Sequence, residues 1–457
     1  MNRRAAGILV FVVLVGAVIA LLYLQTSGVR SSTGTTSSTT TQEIVSGFDW
    51  LTYHADNSRS GYAPTANFTS ITLGWRSAQL DGDIYAEPLV YGGSVYVATE
   101  NNSVYDLNAS NGAVIWRVNF GPPVSGSALP CGDIDPSGIT GTPVIDAKVG
   151  LIYSVAFLNP PHHVLFAVGL SDGMVRFRQP ADPEGADPTV QQQRAALTLA
   201  NGYVYVPYGG LEGDCGDYHG WVEGLDANGN SGAVSYQVPT SREGGIWAPS
   251  GAAVGPSGNL YVATGNGAST TDFDHGDSVV ELSSSLKELG YFAPSNWAQL
   301  NAGDVDLGSV GPSFVGNGTI FQIGKEGVGY LLNASSLGGI GGQLFSMDVC
   351  DGAFGGVAYS QQEVFVPCTD GLFALKLDGT SFSVAWHSGS FFAGPPIVTG
   401  NAVWTIDRSG TLHVFTLDGT EIFTFSLPGV VHFATPSGGA GEVFVAANNQ
   451  LLAFDTA

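Results

Sequence analysis

Ten residues along the chain are of the types that bind cations, stack on planar ligands or transfer protons. They are Glu87, Thr140, Arg194, Glu243, Trp247, Asp304, Asp306, Asp351, Phe392 and His432. The carboxylates of Glu87, Glu243 and Asp304 could hold Ca²⁺ through hard oxygen atoms. Trp247 could form an aromatic floor beneath a planar ligand, with Glu243 and Arg194 as polar contacts. Successive groups of these residues stand 40 to 57 residues apart, so a repeated element must bring them together.

Asp304, Asp306 and His219 are the candidates for proton transfer. In the stretch "DYHGW", residues 217–221, the carboxylate of Asp217 could orient the imidazole of His219 for acid–base chemistry. The alternative is that His219 packs and hydrogen-bonds in a loop between strands. For the ten residues together, the alternative is a wet polar channel whose carboxylates bond to nearby backbone amides without a ligand.

An aromatic-apolar strand recurs eight times and predicts the fold. Its central aromatic residues are 39 to 60 residues apart, at Tyr96, Tyr153, Tyr205, Tyr261, Phe321, Phe365, Trp404 and Phe444. A sheet unit repeated at this spacing packs radially, because each small sheet buries its faces only against its neighbours. We expect an all-β, eight-bladed β-propeller of four-stranded antiparallel blades. Residues just before and on each innermost strand should line its funnel, which would gather the ten residues named above.

The last repeat ends at Ala457 after three strands and lacks an outer one. The segment "ITLGWRSAQL", residues 71–80, is a spare strand with Trp75 where Trp116 and Trp386 end their own repeats. We expect this N-terminal strand to complete the eighth blade, which would close the ring non-covalently and remove both terminal edges.

The composition limits the partners. The formal net charge is −24, yet only 12% of residues are charged. Such a surface repels nucleic-acid phosphates and would suit an acidic external medium. We therefore expect a protein or small-molecule ligand as the partner, and no nucleic acid.

The N-terminus predicts export. Residues 7–24 are apolar and follow Arg3 and Arg4, as in a transmembrane helix with its N-terminus inside. A cleaved signal peptide is the alternative. Residues 1–6 would be cytoplasmic, residues 25–47 a Ser/Thr-rich linker and residues 48–457 the propeller. We expect an extracytoplasmic propeller that contacts the membrane through the N-terminal helix only.

Four cysteines in an exported chain predict two disulfide bonds. From their positions in the repeats we expect the pairs Cys131 with Cys215 and Cys350 with Cys368. The sequence contains no C-x-x-C motif, which argues against haem attachment and a cysteine-rich zinc site.

The repeat "YVATENNSVYDLNASNGAVIW", residues 96–116, resembles the pyrroloquinoline-quinone (PQQ) type of propeller repeat. Ala109, Gly112 and Trp116 stand where that repeat has its A-x-x-G-x-x-x-W docking motif. Longer blocks, among them "DWLTYHADNSRSGYAPT" and "EGGIWAPSGAAVGPSGNLYVATGNG", resemble exported proteins of the quinoprotein alcohol dehydrogenase-like superfamily. The resemblance covers nearly the whole chain from Phe48, and most such proteins have no assigned activity.

The resemblance implies two functions. Active members hold the quinone in the central funnel above a Trp, with Ca²⁺, an Asp base and often a disulfide between adjacent cysteines. This chain has no adjacent cysteine pair and no C-x-x-C-H motif. We expect a membrane-anchored binding or scaffold module with no assignable catalysis and no cofactor. The alternative is a PQQ- and Ca²⁺-dependent alcohol or sugar dehydrogenase with its site in the funnel.

Overall fold

The computed structural model describes residues 48–316 and 318–457, which form eight sheets arranged as the blades of a β-propeller. The predicted anchor and linker, residues 1–47, lie outside the described residues. Within the described ranges, no helix has the length and apolar character needed to cross a membrane. Each blade has four antiparallel strands, and in blades 1 to 7 they follow sequence order from the channel outward, as the repeat predicts.

The strands of blades 1 to 8 follow one pattern. The inner strands are Leu89–Tyr91, Val144–Asp146, Thr198–Ala200, Ala253–Val254, Ser313–Phe314, Ala358–Ser360, Ile397–Thr399 and Ser437–Gly439. The second strands are Ser94–Thr99, Leu151–Leu158, Tyr203–Gly210, Leu260–Ala263, Thr319–Gln322, Glu363–Cys368, Ala402–Ile406 and Glu442–Ala447. The third strands are Ser103–Asn108, His162–Gly169, Trp221–Asp226, Val279–Leu282, Val328–Asn333, Gly371–Asp378, Thr411–Thr416 and Gln450–Thr456.

The outer strands are Val114–Asn119, Val175–Pro180, Val234–Gln237, Glu288–Ala293, Phe345–Asp348, Ser381–His387, Glu421–Ser426 and, for blade 8, Ile71–Arg76. Short additional strands join blades 3, 4 and 7 at Gln191–Gln192, Gly339–Ile340 and Tyr62–Ala63. The described helices are one α-helix, Trp297–Gly303, and two 3₁₀ turns, Gly126–Ala128 and Leu307–Ser309.

The burial of the strands explains the sequence pattern. Most second-strand residues are buried, because both faces of a blade pack against neighbouring blades. The outer strands instead alternate between exposed and half-buried residues, for example over Glu421–Ser426. A period of two indicates a strand with one face in solvent.

Blade 8 is closed by the N-terminal strand, as predicted. Ile71–Arg76 pairs antiparallel with Gln450–Thr456. The indole of Trp75 then docks on the next blade and donates to the carbonyl of Ala109 at 2.8 Å. Gly112, with a φ of +70°, lies beneath this ring, where a Cβ atom would come within 2.4 Å of the indole. The docking motif therefore contains glycine because any side chain at that position would collide with the aromatic ring of the preceding blade.

Both predicted disulfide bonds are present, Cys131 with Cys215 and Cys350 with Cys368. The first joins the loop after blade 1 to a loop of blade 3. The second joins the end of blade 5 to the second strand of blade 6. Each bond therefore links two different blades.

Residues 48–63, which we call the plug segment, cross one end of the channel. Inner strands of six blades donate backbone hydrogen bonds to it at 2.7 to 2.9 Å. The donors are the amides of Val90, Ile145, Val254, Phe314, Tyr359 and Val398, and the acceptors are the carbonyls of Trp50, Leu51, Asn57, Ser58, Ser60 and Gly61. Val254 and Phe314 are the last residues of their inner strands, and the amide of Gly92, in the turn after the first inner strand, donates to Asp49. The plug segment therefore closes the end where inner strands turn into second strands.

Arg59 fixes the plug segment to blades 3 and 4. Its side chain is fully buried and donates to the carbonyl of Ala252, the hydroxyl of Thr198 and the carbonyl of Tyr53, at 3.1, 2.6 and 3.0 Å. Burial lowers the pKa of Arg59 to about 10, so the side chain stays charged at neutral pH. One cation thus satisfies several buried oxygen atoms that otherwise have few donors.

We expect Arg59→Met to lower the free energy of unfolding by about 3 kcal/mol, because several buried oxygen atoms lose their donor. Urea denaturation of the purified protein measures this. Arg178→Met is the control, because Arg178 is exposed on an outer strand, and it should change stability by less than about 0.5 kcal/mol. Equal denaturation midpoints for the two variants would contradict the role of Arg59.

Candidate functional site

A cavity of about 450 Å³ opens at the end of the channel opposite the plug segment. Two kinds of loop line it. One kind precedes an inner strand and supplies Arg194, Trp247 and Phe354, for example. The other kind joins a second strand to a third and supplies Lys325 and Arg408. In an antiparallel blade both kinds of loop emerge at the same end, which is why they meet here.

The structure brings six of the ten predicted funnel residues to this cavity. They are Arg194, Trp247, Asp304, Asp306, Phe392 and His432. The others, Glu87, Thr140, Glu243 and Asp351, are not among the residues that line it. Glu87 is buried beside the plug segment, where it accepts the amide of His54 at 2.8 Å. The three predicted metal ligands Glu87, Glu243 and Asp304 therefore do not form one cluster.

Glu243 and His219 lie near the cavity wall. Glu243 forms an ion pair with Arg242 at 2.9 Å and has a left-handed backbone with a φ of 71°. The backbone of His219 exchanges hydrogen bonds with the side chain of Gln191, and its ring packs edge-on against Trp221. Asp217 forms no hydrogen bond with His219 within the described part of the chain, so the predicted orientation of the imidazole is absent there.

Lys325 lies in the cavity wall among oxygen atoms of Asp304 and Asp306, which we call the oxygen cage. Its ammonium group lies 2.9 Å from a carboxylate oxygen of Asp304, 3.2 Å from the Asp304 carbonyl and 2.8 Å from a carboxylate oxygen of Asp306. It also lies 5.7 Å from the centre of the Trp247 ring, which adds a cation–π contact. Burial opposes the charged form, but Asp306 and Asp304 outweigh it and raise the pKa of Lys325.

The local sequence positions this cage. The helix Trp297–Gly303 ends at Asp304, whose left-handed φ of 51° turns the chain toward the cavity. The other carboxylate oxygen of Asp306 accepts the amide of Asn266 at 2.7 Å. A Cβ atom at Gly265 would lie 2.8 Å from Asp306 and 3.2 Å from the indole nitrogen of Trp247, so only glycine lets these two side chains approach.

Asp277 lies behind the cage and is fully buried. One of its carboxyl oxygens accepts the amide of Leu307 at 2.8 Å, and the other has no hydrogen-bond partner among the described residues. Burial and then the charge of Asp306 raise the pKa of Asp277 to about 8. Asp277 is thus mainly protonated at neutral pH, while Asp304 and Asp306 each form an ion pair with Lys325.

Aromatic rings form another part of the cavity wall. Phe354 lies 5.6 Å from Phe392, 6.2 Å from Phe433 and 6.4 Å from Trp247, measured between ring centroids. Together with the polar groups above them, these rings give the cavity the mixed lining typical of sites for small organic ligands.

The sequence prediction missed Lys325, Arg408, Phe354 and Phe433. It considered the loops before inner strands but not those between second and third strands, where Lys325 and Arg408 lie. The position of Lys325 three residues after the second strand of blade 5 was the available signal. Phe354 and Phe433 do precede inner strands, but for those two blades the prediction chose the polar neighbours Asp351 and His432 instead.

One cluster of side chains has the spacing of metal ligands. Among the described residues, three ligand-type side chains lie close together only at Cys350, Cys368 and Asp370. The two sulfur atoms there are joined in a disulfide bond, so they are not thiolate ligands. The residues around the cavity do not fit Ca²⁺ as they stand, because the ammonium of Lys325 already fills their oxygen cage.

Comparisons with known proteins agree on the fold. The sequence profile of a family described as outer membrane protein assembly factor BamB matches residues 72–206. A comparison with curated proteins gives no match. The solved structure of quinohemoprotein alcohol dehydrogenase ADHIIG from Pseudomonas putida HK5 is similar with a TM-score of 0.72 and 16% identity, over 90% of this chain and 80% of that one.

Two further structures are similar. Quinohemoprotein alcohol dehydrogenase from Comamonas testosteroni has a TM-score of 0.70 and 16% identity, over 89% of this chain and 80% of that one. BamB from Moraxella catarrhalis has a TM-score of 0.58 and 13% identity, over 85% of this chain and 98% of BamB. Redox enzymes and an assembly factor thus share this architecture, so the fold alone does not choose between them.

Asp277 predicts a pH dependence of stability. Its pKa is raised on folding, so its contribution is complete below about pH 4 and is lost as pH rises toward 8. Asp277→Asn mimics the neutral carboxyl group. We expect its free energy of unfolding to fall by less than that of the wild type as pH rises, with a difference on the order of 2 kcal/mol. Thermal unfolding between pH 4.5 and 8.5 measures it.

The control for this experiment is Asp272→Asn, because Asp272 lies exposed in the same loop. It should leave the pH dependence of the wild type unchanged. Identical slopes for the two variants would show that Asp277 is ionised in the folded state.

Proposed function

We propose that this β-propeller, which resembles PQQ-repeat proteins of the quinoprotein superfamily, is a binding module without Ca²⁺-dependent catalysis. Its ligand is a small organic molecule that enters the cavity opposite the plug segment. The cavity volume of about 450 Å³ lies within the range of small-molecule sites. The likeness to BamB supports a scaffold role in the same way, but the aromatic cavity favours a small ligand over a protein surface.

The position of Lys325 is the observation that carries this proposal. Three oxygen atoms at 2.8 to 3.2 Å surround its ammonium group. A divalent cation at the same place would have to displace that ammonium, and the two positive groups would repel each other across a few ångströms. The protein therefore supplies its own cation, and quinone chemistry that needs Ca²⁺ as an electrophile has no place for it.

An extracytoplasmic location is part of the proposal. Two disulfide bonds suit an oxidising compartment, and the apolar residues 7–24 would anchor the chain to the membrane. The pKa values of buried Glu100 and half-buried Glu442 are raised to about 7, chiefly by loss of solvent around the carboxyl groups. Such groups favour the folded state at acidic pH, which is consistent with an acidic external medium.

A quinoprotein dehydrogenase is the second candidate. The observation in its favour is Trp247, which presents its ring to the cavity beside Asp304 and Asp306. These residues would supply the stacking platform and a general base for alcohol or sugar oxidation. For this function, the ammonium group of Lys325 would have to leave the oxygen cage so that Ca²⁺ could bind there.

Terbium luminescence tests the proposal. Tb³⁺ binds to oxygen ligands like those of Ca²⁺, and it emits when a nearby tryptophan transfers energy to it. We expect no sensitised emission from the wild type at micromolar Tb³⁺, and clear emission from Lys325→Ala, in which the cage is empty and Trp247 is adjacent. Lys287→Ala, which removes an exposed lysine from a turn, should behave like the wild type.

The opposite result would favour the dehydrogenase. PQQ with Ca²⁺ at about 100 times a dissociation constant stabilises a protein that binds them by about 2.7 kcal/mol. A wild-type melting temperature raised in this way, lost in Trp247→Ala and accompanied by alcohol-dependent reduction of a dye, would overturn the binding-module proposal.

A further inference from the structure

We propose that the protein carries N-linked glycans on Asn67 and Asn333, at the end of the propeller that the plug segment closes, which we call the plug end. The inference rests on the extracytoplasmic location that the proposed function includes, and it adds a covalent modification outside the cavity. The sequence contains the acceptor motif N-x-S/T five times, at Asn67, Asn101, Asn108, Asn317 and Asn333. Asn317 lies outside the described residues.

Two of the four described motifs have an exposed asparagine. Asn67 precedes the closing strand of blade 8, and Thr69, the third residue of its motif, is exposed as well. Asn333 is the last residue of the third strand of blade 5, and both Asn333 and Ser335 are exposed. A linked sugar is bulky and hydrated, so it must stay in solvent once the chain has folded. These two positions meet that requirement.

The side chain of Asn333 is held with its nitrogen free. Its Oδ1 atom accepts the hydroxyl of Ser335 at 2.8 Å and the backbone amide of Ser335 at 3.0 Å. Its Nδ2 atom donates to no other residue in the described part of the chain. The motif's own hydroxyl group therefore fixes the carboxamide through its oxygen atom, and the nitrogen atom remains available for reaction.

Asn101 has the same motif in the opposite arrangement. Its Nδ2 atom donates to a carboxylate oxygen of Asp81 at 2.8 Å, and the hydroxyl of Ser103 donates to the same oxygen at 2.7 Å. Asn101 is half-buried and Ser103 is buried. Asn108 is half-buried too. We therefore expect no glycan on either asparagine, and Asn101 is the internal control for the motif alone.

The modification joins Nδ2 of the asparagine to the anomeric carbon of a sugar. The donor is an oligosaccharide linked through phosphate to a membrane lipid, and a transferase on the extracytoplasmic side catalyses the transfer. The nitrogen atom attacks the anomeric carbon and loses one of its two protons. The bond between that carbon and the phosphate oxygen breaks, and its electron pair leaves with the phosphate.

Both sites lie away from the mouth of the cavity. Third strands run toward the plug end and outer strands begin there, which places Asn333 and Asn67 at that end. Two apolar side chains of the connection after Asn333 are exposed, Ile340 by 46% and Leu344 by 44%. Leu344 lies beside Asn333, because its amide donates to the carbonyl of Leu331 at 2.8 Å. A glycan on Asn333 would cover this apolar surface and leave the mouth open.

Mass spectrometry of the full chain, purified from the cells that naturally produce it, tests the inference. We expect glycopeptides that map to Asn67 and Asn333. Asn333→Gln and Ser335→Ala should each remove one glycan from the intact mass, although the second variant still has the asparagine. Ser335→Thr preserves the motif and should preserve the glycan. Asn101→Gln should leave the glycan mass unchanged, as should Asn111→Gln, which replaces an exposed asparagine outside any motif.

The outcomes separate this inference from the proposed function. An unmodified Asn67 or Asn333 would overturn the assignment of that site, and a glycan retained in Ser335→Ala or found on Asn101 would overturn the reasoning from exposure and a free nitrogen atom. None of these results affects the terbium emission of Lys325→Ala, because the glycans lie at the other end from the oxygen cage. Melting temperatures of the variants show whether a lost glycan reflects a lost fold.

Discussion

The hydrogen bonds between the plug segment and the inner strands of six blades are the constraint on which the rest of the structure depends. Inner strands of a propeller expose backbone groups to the channel, and these groups need partners wherever water is excluded. One short segment supplies those partners at one end, with Arg59 as its buried anchor. The plug segment thus fills one end of the channel, and the cavity opens at the other end.

Charge is distributed unequally within this cavity, although the whole protein is strongly acidic. Lys325 is neutralised by two carboxylates, while Arg194 and Arg408 meet aromatic rings and no carboxylate among the described residues. The first arrangement stabilises this part of the cavity wall and removes a cation site. The same lining also carries Asp133, Glu212, Asp214 and Asp407. The cavity, like the whole protein, therefore has more acidic than basic side chains.

The sequence predicted the ring well because each repeat carries its own signal. The buried aromatic of every second strand, the docking of Trp75 and both disulfide pairs were recognisable from local pattern and spacing. Non-local features were not. Residues 48–63 have no strand pattern, since their role comes from bonds to distant blades.

The candidate site shows the same division. Glu87 stands two residues before an inner strand, as the prediction requires, yet it bonds to the plug segment. Lys325 and Arg408 were missed because position within a repeat does not show which loops between second and third strands reach the channel. Residue type and spacing therefore located cavity residues in the loops before inner strands. They did not locate those in the loops between second and third strands.

The closure of blade 8 has a consequence for how the protein is made. Its outer strand is complete at residue 76, but the three strands that receive it begin at residue 437. At usual rates of translation, tens of seconds separate the two, and during that time the strand with Trp75 has an unpaired edge. A nascent chain, or a product truncated by a premature stop codon, cannot close the ring. Chaperones that hold this segment unpaired until synthesis is finished would thus decide the yield of native protein.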